Sequence, residues 1–232
     1  MQLNINDQRT LTARHEAAHA VMAFLDDAAW SIKHIQMEST KDRPGYISFH
    51  VTGVPMAAME MCDSVEGFGD YDNGCIRREI VGLLAGRVME SLMIAECYGR
   101  PIGDVAEEIG TDFDQFDPED EDNFGHNACD VSKAVRGCNV IARFTGVDPR
   151  DLLKQLSDLT YRVLTHPRAS KAVDALAERL TTVKRLSGST AARIMQKAFG
   201  SGSLKEFWQE IAGCDTCVKA VLLDDLTLNP TT

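Results

Sequence analysis

Nowhere does the sequence hold an apolar run long enough to cross a bilayer. Its best candidate, IVGLLAGRVMESLMIA (Ile80 to Ala95), is interrupted by Arg87 and Glu90 and reads as a buried helix. The opening residues, MQLNINDQRT, are polar and contain no apolar signal-peptide core, so a cytoplasmic protein without a membrane span is expected. There is no GxxxxGK[ST] phosphate loop, no internal repeat, and no basic face or arm of the kind that binds nucleic acid. The seven cysteines (Cys62, Cys75, Cys97, Cys129, Cys138, Cys214, Cys217) are odd in number and scattered, which suits a reducing compartment and use as small core residues. Cys214 and Cys217 form a C-x-x-C, but no second pair or nearby histidine completes a tetrahedral site.

What is present is an ordinary globular composition, 44% hydrophobic and 25% charged, with a net charge of −11. That charge is concentrated. Between Asp104 and Asp122 lie ten acidic residues and no basic one; the rest holds 24 basic against 25 acidic residues. The body is nearly neutral, and the acidity belongs to one loop. At 232 residues the chain suffices for one core with an appended piece. The expected division is 1–200 for the main domain, including an acidic insertion at about 103–124, and 201–232 for a C-terminal helix and polar tail.

Hydrophobic periodicity predicts a mainly α protein of about six or seven helices with a small β-hairpin. A first helix is expected from Thr10 to Asp27, with Ala17, Val21 and Phe24 along its apolar stripe. Two strands follow, Ile32–Met37 and Tyr46–Val51, with Arg43-Pro44-Gly45 supplying turn chemistry between them. Pro55 to Gly74 is Met- and Gly-rich, with Met56, Met59 and Met61 read as core filling. Helices are then expected at Cys75–Cys97, Asn127–Phe144 (closed by Gly146), and about 149–165, 168–185, 189–199 and 203–212.

The first helix carries TARHEAAHAVMAFL, Thr12 to Leu25. On an α-helix, residues four apart share a face with about 6 Å of rise between them, so His15 and His19 can converge on one Zn²⁺. Glu16 is then placed beside the open coordination position, where it can act as a base toward water; that is the mechanical content of H-E-x-x-H. The competing reading is two unrelated histidines on a surface helix. The small apolar flanks Ala17, Ala18, Ala20, Val21 and Phe24 argue against it, because buried histidines and glutamate need partners. For a third ligand the residues leave Asp130, His126, His34, His50 and Glu90 open.

Three stretches together, TARHEAAHAVMAFL, LLAGRVMESLM (Leu83 to Met93) and HNACDVSKAVRGCNVIARFTG (His126 to Gly146), resemble the peptidase domain of the FtsH family of ATP-dependent zinc proteases. ALAERLTTVKRLSGSTAARIM is similar to the family's late helices, so the resemblance covers about residues 11–200 in patches. It implies His15, His19 and Asp130 as metal ligands, Glu16 as the catalytic base, and Arg87 and Glu90 at the family's conserved positions. From Asp130, Ala134 and Gly146 keep the family's register without a gap. Ala18 stands where the family has glycine, and Cys129 where it usually has asparagine. The matched motifs span the peptidase domain, without the ATPase module or membrane anchor.

The implied activity is a zinc-dependent endopeptidase hydrolysing flexible or unfolded polypeptides. The alternative is a non-catalytic, zinc-stabilised protein-binding module that retains an inactive site. The family's ring assembly points to a homo-oligomer, and the missing module to an ATPase partner supplied in trans. Glu90 is a candidate to orient a ligand histidine, and the hairpin edge a candidate to pair with an extended peptide. The acidic stretch DVAEEIGTDFDQFDPEDED is expected to be a solvated loop near the site entrance, with a lid as the sharper reading. It lacks the central glycine and terminal glutamate of an EF-hand calcium loop.

Overall fold

A computed structural model describes residues 8–26, 30–37, 45–51, 70–99 and 129–212. The acidic insertion, Met56, Met59, Met61, His126, the Cys214–Cys217 pair and the polar tail lie outside the described residues, as does most of the Arg43–Gly45 turn. The elements run α1 (Gln8–Leu25), β1 (Trp30–Gln36), β2 (Tyr46–Val51), α2 (Asp70–Tyr98), α3 (Asp130–Thr145), α4 (Pro149–Thr165), α5 (Pro167–Thr182), β3 (Arg185–Ser187), α6 (Gly188–Phe199) and α7 (Leu204–Ala212). The described residues are mainly helical, with one small antiparallel sheet. No helix among the described residues is long and apolar enough to cross a membrane.

Helix α1 is central. It packs against α2 on one side and α5 on the other, and reaches the sheet as well. Ala13, Ala17, Ala18, Ala20 and Val21 are all fully buried, so no single stripe is apolar; small side chains line several faces. Alanine there lets neighbouring helices approach closely, and it costs no side-chain entropy in the helix. Bulk comes from elsewhere. Leu152, Leu153, Leu156, Leu159, Val163 and Leu164 recur at helical spacing along α4 and close the core with Ile76, Ile80 and Leu84 of α2.

The later helices begin and end where the local chemistry directs. Asp148 accepts hydrogen bonds from the backbone N–H groups of Arg150 and Asp151, with Pro149 at the first position of α4. His166 ends α4 and caps α5, accepting from the Arg168 N–H before Pro167 starts the new helix. Ser203 and Glu206 form a reciprocal capping box at α7, with bonds of 3.1 and 2.8 Å. Gly146, at φ 72°, closes α3 with its N–H on the Ala142 carbonyl.

The first helix and first strand begin two residues before the expected positions, and two later elements differ more. Helix α2 begins at Asp70, earlier than Cys75. The helix expected to reach residue 185 stops at Thr182; Val183 is extended, and Arg185–Ser187 forms β3. This strand pairs with β1 at His34↔Ser187, Ile35↔Leu186 and Gln36↔Arg185, making a three-stranded sheet in the order β2-β1-β3 instead of a bare hairpin. The physical reason is long-range: β1 offers a free edge, and its pairing outweighs the weak helical preference of three residues.

The C-terminal helix joins the same core. Phe207 and Trp208 are buried, and Trp208 Nε1 donates to the Leu25 carbonyl at the end of α1, 3.1 Å away. Cys138 is also core, its thiol pushed up to about 12 by burial. Cys75, Cys97, Cys129 and Cys138 are thiols, not disulfides. Trp208→Ala is expected to cost about 3–5 kcal/mol, from lost packing and an orphaned helix-end carbonyl; chemical denaturation measures it, and a loss under about 1 kcal/mol would show that α7 is not docked on α1.

Candidate metal centre

Three helices meet at one point. His15 and His19 project from α1, Asp130 from the first turn of α3, and α2 supplies the floor. The two Nε2 atoms are 3.1 Å apart; Asp130 Oδ2 lies 3.2 Å from His19 Nε2 and 3.9 Å from His15 Nε2. A tetrahedral ion with bonds of about 2.0–2.1 Å needs ligand atoms about 3.3–3.4 Å apart. The three edges bracket that value, and this His-His-Asp group could hold a metal ion.

The other ends of the imidazoles decide which atoms face inward. His15 Nδ1 lies 2.8 Å from Glu90 Oε1, and His19 Nδ1 lies 2.7 Å from the Gly82 carbonyl. A carbonyl oxygen only accepts, so His19 donates from Nδ1, and the Glu90 carboxylate makes the same demand on His15. In the neutral imidazoles both Nε2 lone pairs are thereby aimed at each other and at a carboxylate oxygen. Three lone-pair donors at this distance repel unless a cation stands among them. Either a proton or a metal ion can fill that role.

Glycine makes the space. A Cβ on Gly86 of α2 would sit 2.5 Å from the Nε2 atoms of both His15 and His19. Any larger residue there would occupy the cradle itself. The sequence signal for this was available in LLAGRVMESLM, where a glycine stands four residues before the glutamate that holds His15, but its function depends on α2 crossing α1 at that point.

Electrostatics follow the same geometry. Burial alone would lower His19, but its hydrogen bond to Asp130 and the charges of Asp130 and Glu16 outweigh that and raise it above 6.5. Burial would raise Asp130 and Glu90; the hydrogen bond from His19 holds Asp130 below its ordinary range, and that from His15 does the same for Glu90. Glu16 is 7% exposed. Burial pushes its carboxyl upward, against the opposing pull of His19 and His15.

Among the other third-ligand candidates, Glu90 contacts His15 at Nδ1, on the side away from the cradle. His34 lies on β1, edge-on to the Tyr46 ring at 5.9 Å between centroids. His50 lies on β2, its side chain outside the described residues. Comparison with protein-family models and with curated proteins found no match.

Gly86→Ala is expected to abolish metal uptake while leaving the helical circular dichroism intact; equilibrium dialysis with zinc checks it, and unchanged uptake would show that the ion does not bind between these imidazoles. A second expectation concerns pH. His19 in the unfolded chain titrates near 6.5 and in the fold above it, so its stabilising proton is fully held below 6.5 and lost as pH rises through the folded value. The raised Glu16 contributes with the same sign. Metal-free protein should therefore melt lower at about pH 8 than at about pH 6, whereas added zinc should stabilise most at the higher pH because metal and proton compete for one site. Parallel melts in chelator and in zinc would test this; a stabilisation by zinc that does not vary with pH would count against the shared site.

Proposed function

We propose that this chain is a zinc-dependent endopeptidase of the FtsH-like type, acting on flexible or unfolded polypeptides. The observation that carries the reading is the convergence of His15 Nε2, His19 Nε2 and Asp130 Oδ2 with both Nδ1 atoms already committed. Two imidazoles and one carboxylate match the donor set of catalytic zinc sites, which leave a coordination position open. His15, His19 and Asp130 would hold the ion, which would supply Lewis acidity toward a carbonyl and a water molecule.

The chain's own residues supply the rest. Glu16 follows the first ligand and is the base that takes a proton from water and returns it to the departing amine. Its raised pKa brings it closer to the neutral range in which such a group works. Glu90 and the Gly82 carbonyl fix the tautomers and ring planes of the two histidines. A purely structural site has no use for a buried carboxyl beside its ligands, so Glu16 favours an enzyme over a zinc-stabilised binding module.

Strand β2 supports the substrate class. It pairs with β1 on one side and has no strand on the other among the described residues. Gly45, which leads into it, lies against Thr12 and Glu16: a Cβ there would sit 2.8 Å from Thr12 Cγ2 and 3.3 Å from Glu16 Oε1. An extended peptide added to that edge would run past the base, with main-chain hydrogen bonds giving sequence-tolerant affinity. A segment whose main-chain groups are already paired within a folded domain would have to be released first.

Metal analysis of protein purified without a histidine tag should find about one zinc per chain, lost in His19→Ala and Asp130→Ala. Glu16→Gln should keep the zinc and lose cleavage of casein or an unstructured peptide by about 10²–10⁴-fold. Zinc retained with no cleavage in the wild type would assign the chain to the binding-module class; absence of zinc under loading would overturn the metal reading altogether.

A further inference from the structure

Asp130 divides its two oxygens between different partners. Oδ2 faces the imidazoles, 3.2 Å from His19 Nε2, while Oδ1 lies 3.6 Å from the ammonium of Lys133. Both residues sit on the first turns of α3, three apart and therefore on one face. Each side chain is about one-third exposed, 35% for Asp130 and 34% for Lys133, so the pair is partly reached by solvent. Helix start and orientation hold this arrangement: Cys129 caps α3, its sulfur accepting from the Ser132 N–H, and Asp130 occupies the first helical position.

We infer that Lys133 is a positioning residue that keeps Asp130 a one-oxygen ligand and thereby sets the coordination number and metal preference of the site; this rests on the metal reading above. The chemistry is direct. A carboxylate can bind an ion through one oxygen or both, and calcium-like and manganese-like ions, which prefer more oxygen donors, take the second readily. An ammonium on Oδ1 competes for that oxygen. It also places positive charge near the ion, which discourages a second strong contact on the same side. With Oδ1 engaged, the site has three donors and an open position, the arrangement zinc favours for catalysis. With Oδ1 released, Asp130 can close over the open position.

An ordinary surface pair three residues apart on a helix would also bring these groups together. Such a pair acts on helix stability alone, whereas a positioning residue changes the metal. Wild type, Lys133→Met and Lys133→Arg are therefore to be compared in three measurements: melting temperature of the metal-free protein, relative affinity for Zn²⁺ and Mn²⁺ by competition dialysis, and the visible absorption of the Co²⁺-loaded protein. The expected result is little change in melting temperature for either variant. Lys133→Met should shift the Zn²⁺/Mn²⁺ preference toward Mn²⁺ by about tenfold, within the range that groups behind a metal ligand exert. Its Co²⁺ bands should weaken, as coordination rises above four. Lys133→Arg, which keeps the charge and donors, should restore both.

If all three proteins bind metal with the same preference and the same Co²⁺ spectrum, Lys133 is a surface partner and the assignment is overturned while the metal site stands. If wild type binds neither Zn²⁺ nor Co²⁺, the metal reading falls and this one falls with it.

Discussion

The candidate site depends on an electrostatic conflict: two imidazole nitrogens and a carboxylate oxygen pointed at one small volume. The conflict is built by remote hydrogen bonds. Glu90 holds His15 from behind and the Gly82 carbonyl holds His19, so neither ring can turn its lone pair away without giving up a bond made at 2.8 or 2.7 Å. Relief must come from a cation. The fold thus holds a cradle that a proton or a metal ion could fill, and its cost is carried by the packing of α1, α2 and α3.

That packing explains a composition that otherwise looks wasteful. Helix α1 is the most central element, yet its buried residues are mostly alanine. Larger side chains would stabilise more by burial, but they would push α2 away, and the Gly82 carbonyl and the Gly86 hollow would leave the histidines. The stability forgone at α1 is recovered in α4, α5 and α7, where leucines, Phe207 and Trp208 fill the interior. The protein thus separates two tasks: close backbone approach at the site, bulk hydrophobic burial away from it. The Trp208 bond to the Leu25 carbonyl links them, fastening the end of the helix that carries His15 and His19 to the far side of the core.

Charge is divided in a similar way. At the centre, His19 and Asp130 stabilise each other's ionised forms, while Glu16 is buried enough to resist ionisation. One carboxyl is held as an anion and its neighbour is pushed toward the neutral range, through environment alone. Lys133 sits at the rim of that arrangement, on the one carboxylate oxygen that the imidazoles do not face.

Much of this could be read from the residues in order, because helix caps and hydrophobic stripes act over a few positions. The spans of α4, α6 and α7 follow from Asp148-Pro149, Ser187 and Ser203 with the apolar periods behind them, and the four-residue spacing of His15 and His19 already places both on one face. Other features had no local signature. Residue spacing alone left five candidates for a third ligand, and the choice among them came from a resemblance; among the described candidates Asp130 is the one whose carboxylate lies against both Nε2 atoms, because α3 lands across the open side of α1. Strand β3 exists because β1 has an edge to offer, and three residues cannot announce that in advance. The Gly82 carbonyl could not be foreseen at all, since a backbone oxygen carries no residue identity. Nor could the hollow at Gly86, which is a distance between two helices. Contacts within a turn or two of helix are encoded by spacing; contacts between helices are set by crossing angles and side-chain volumes summed over the whole core, and they exist once the chain has packed.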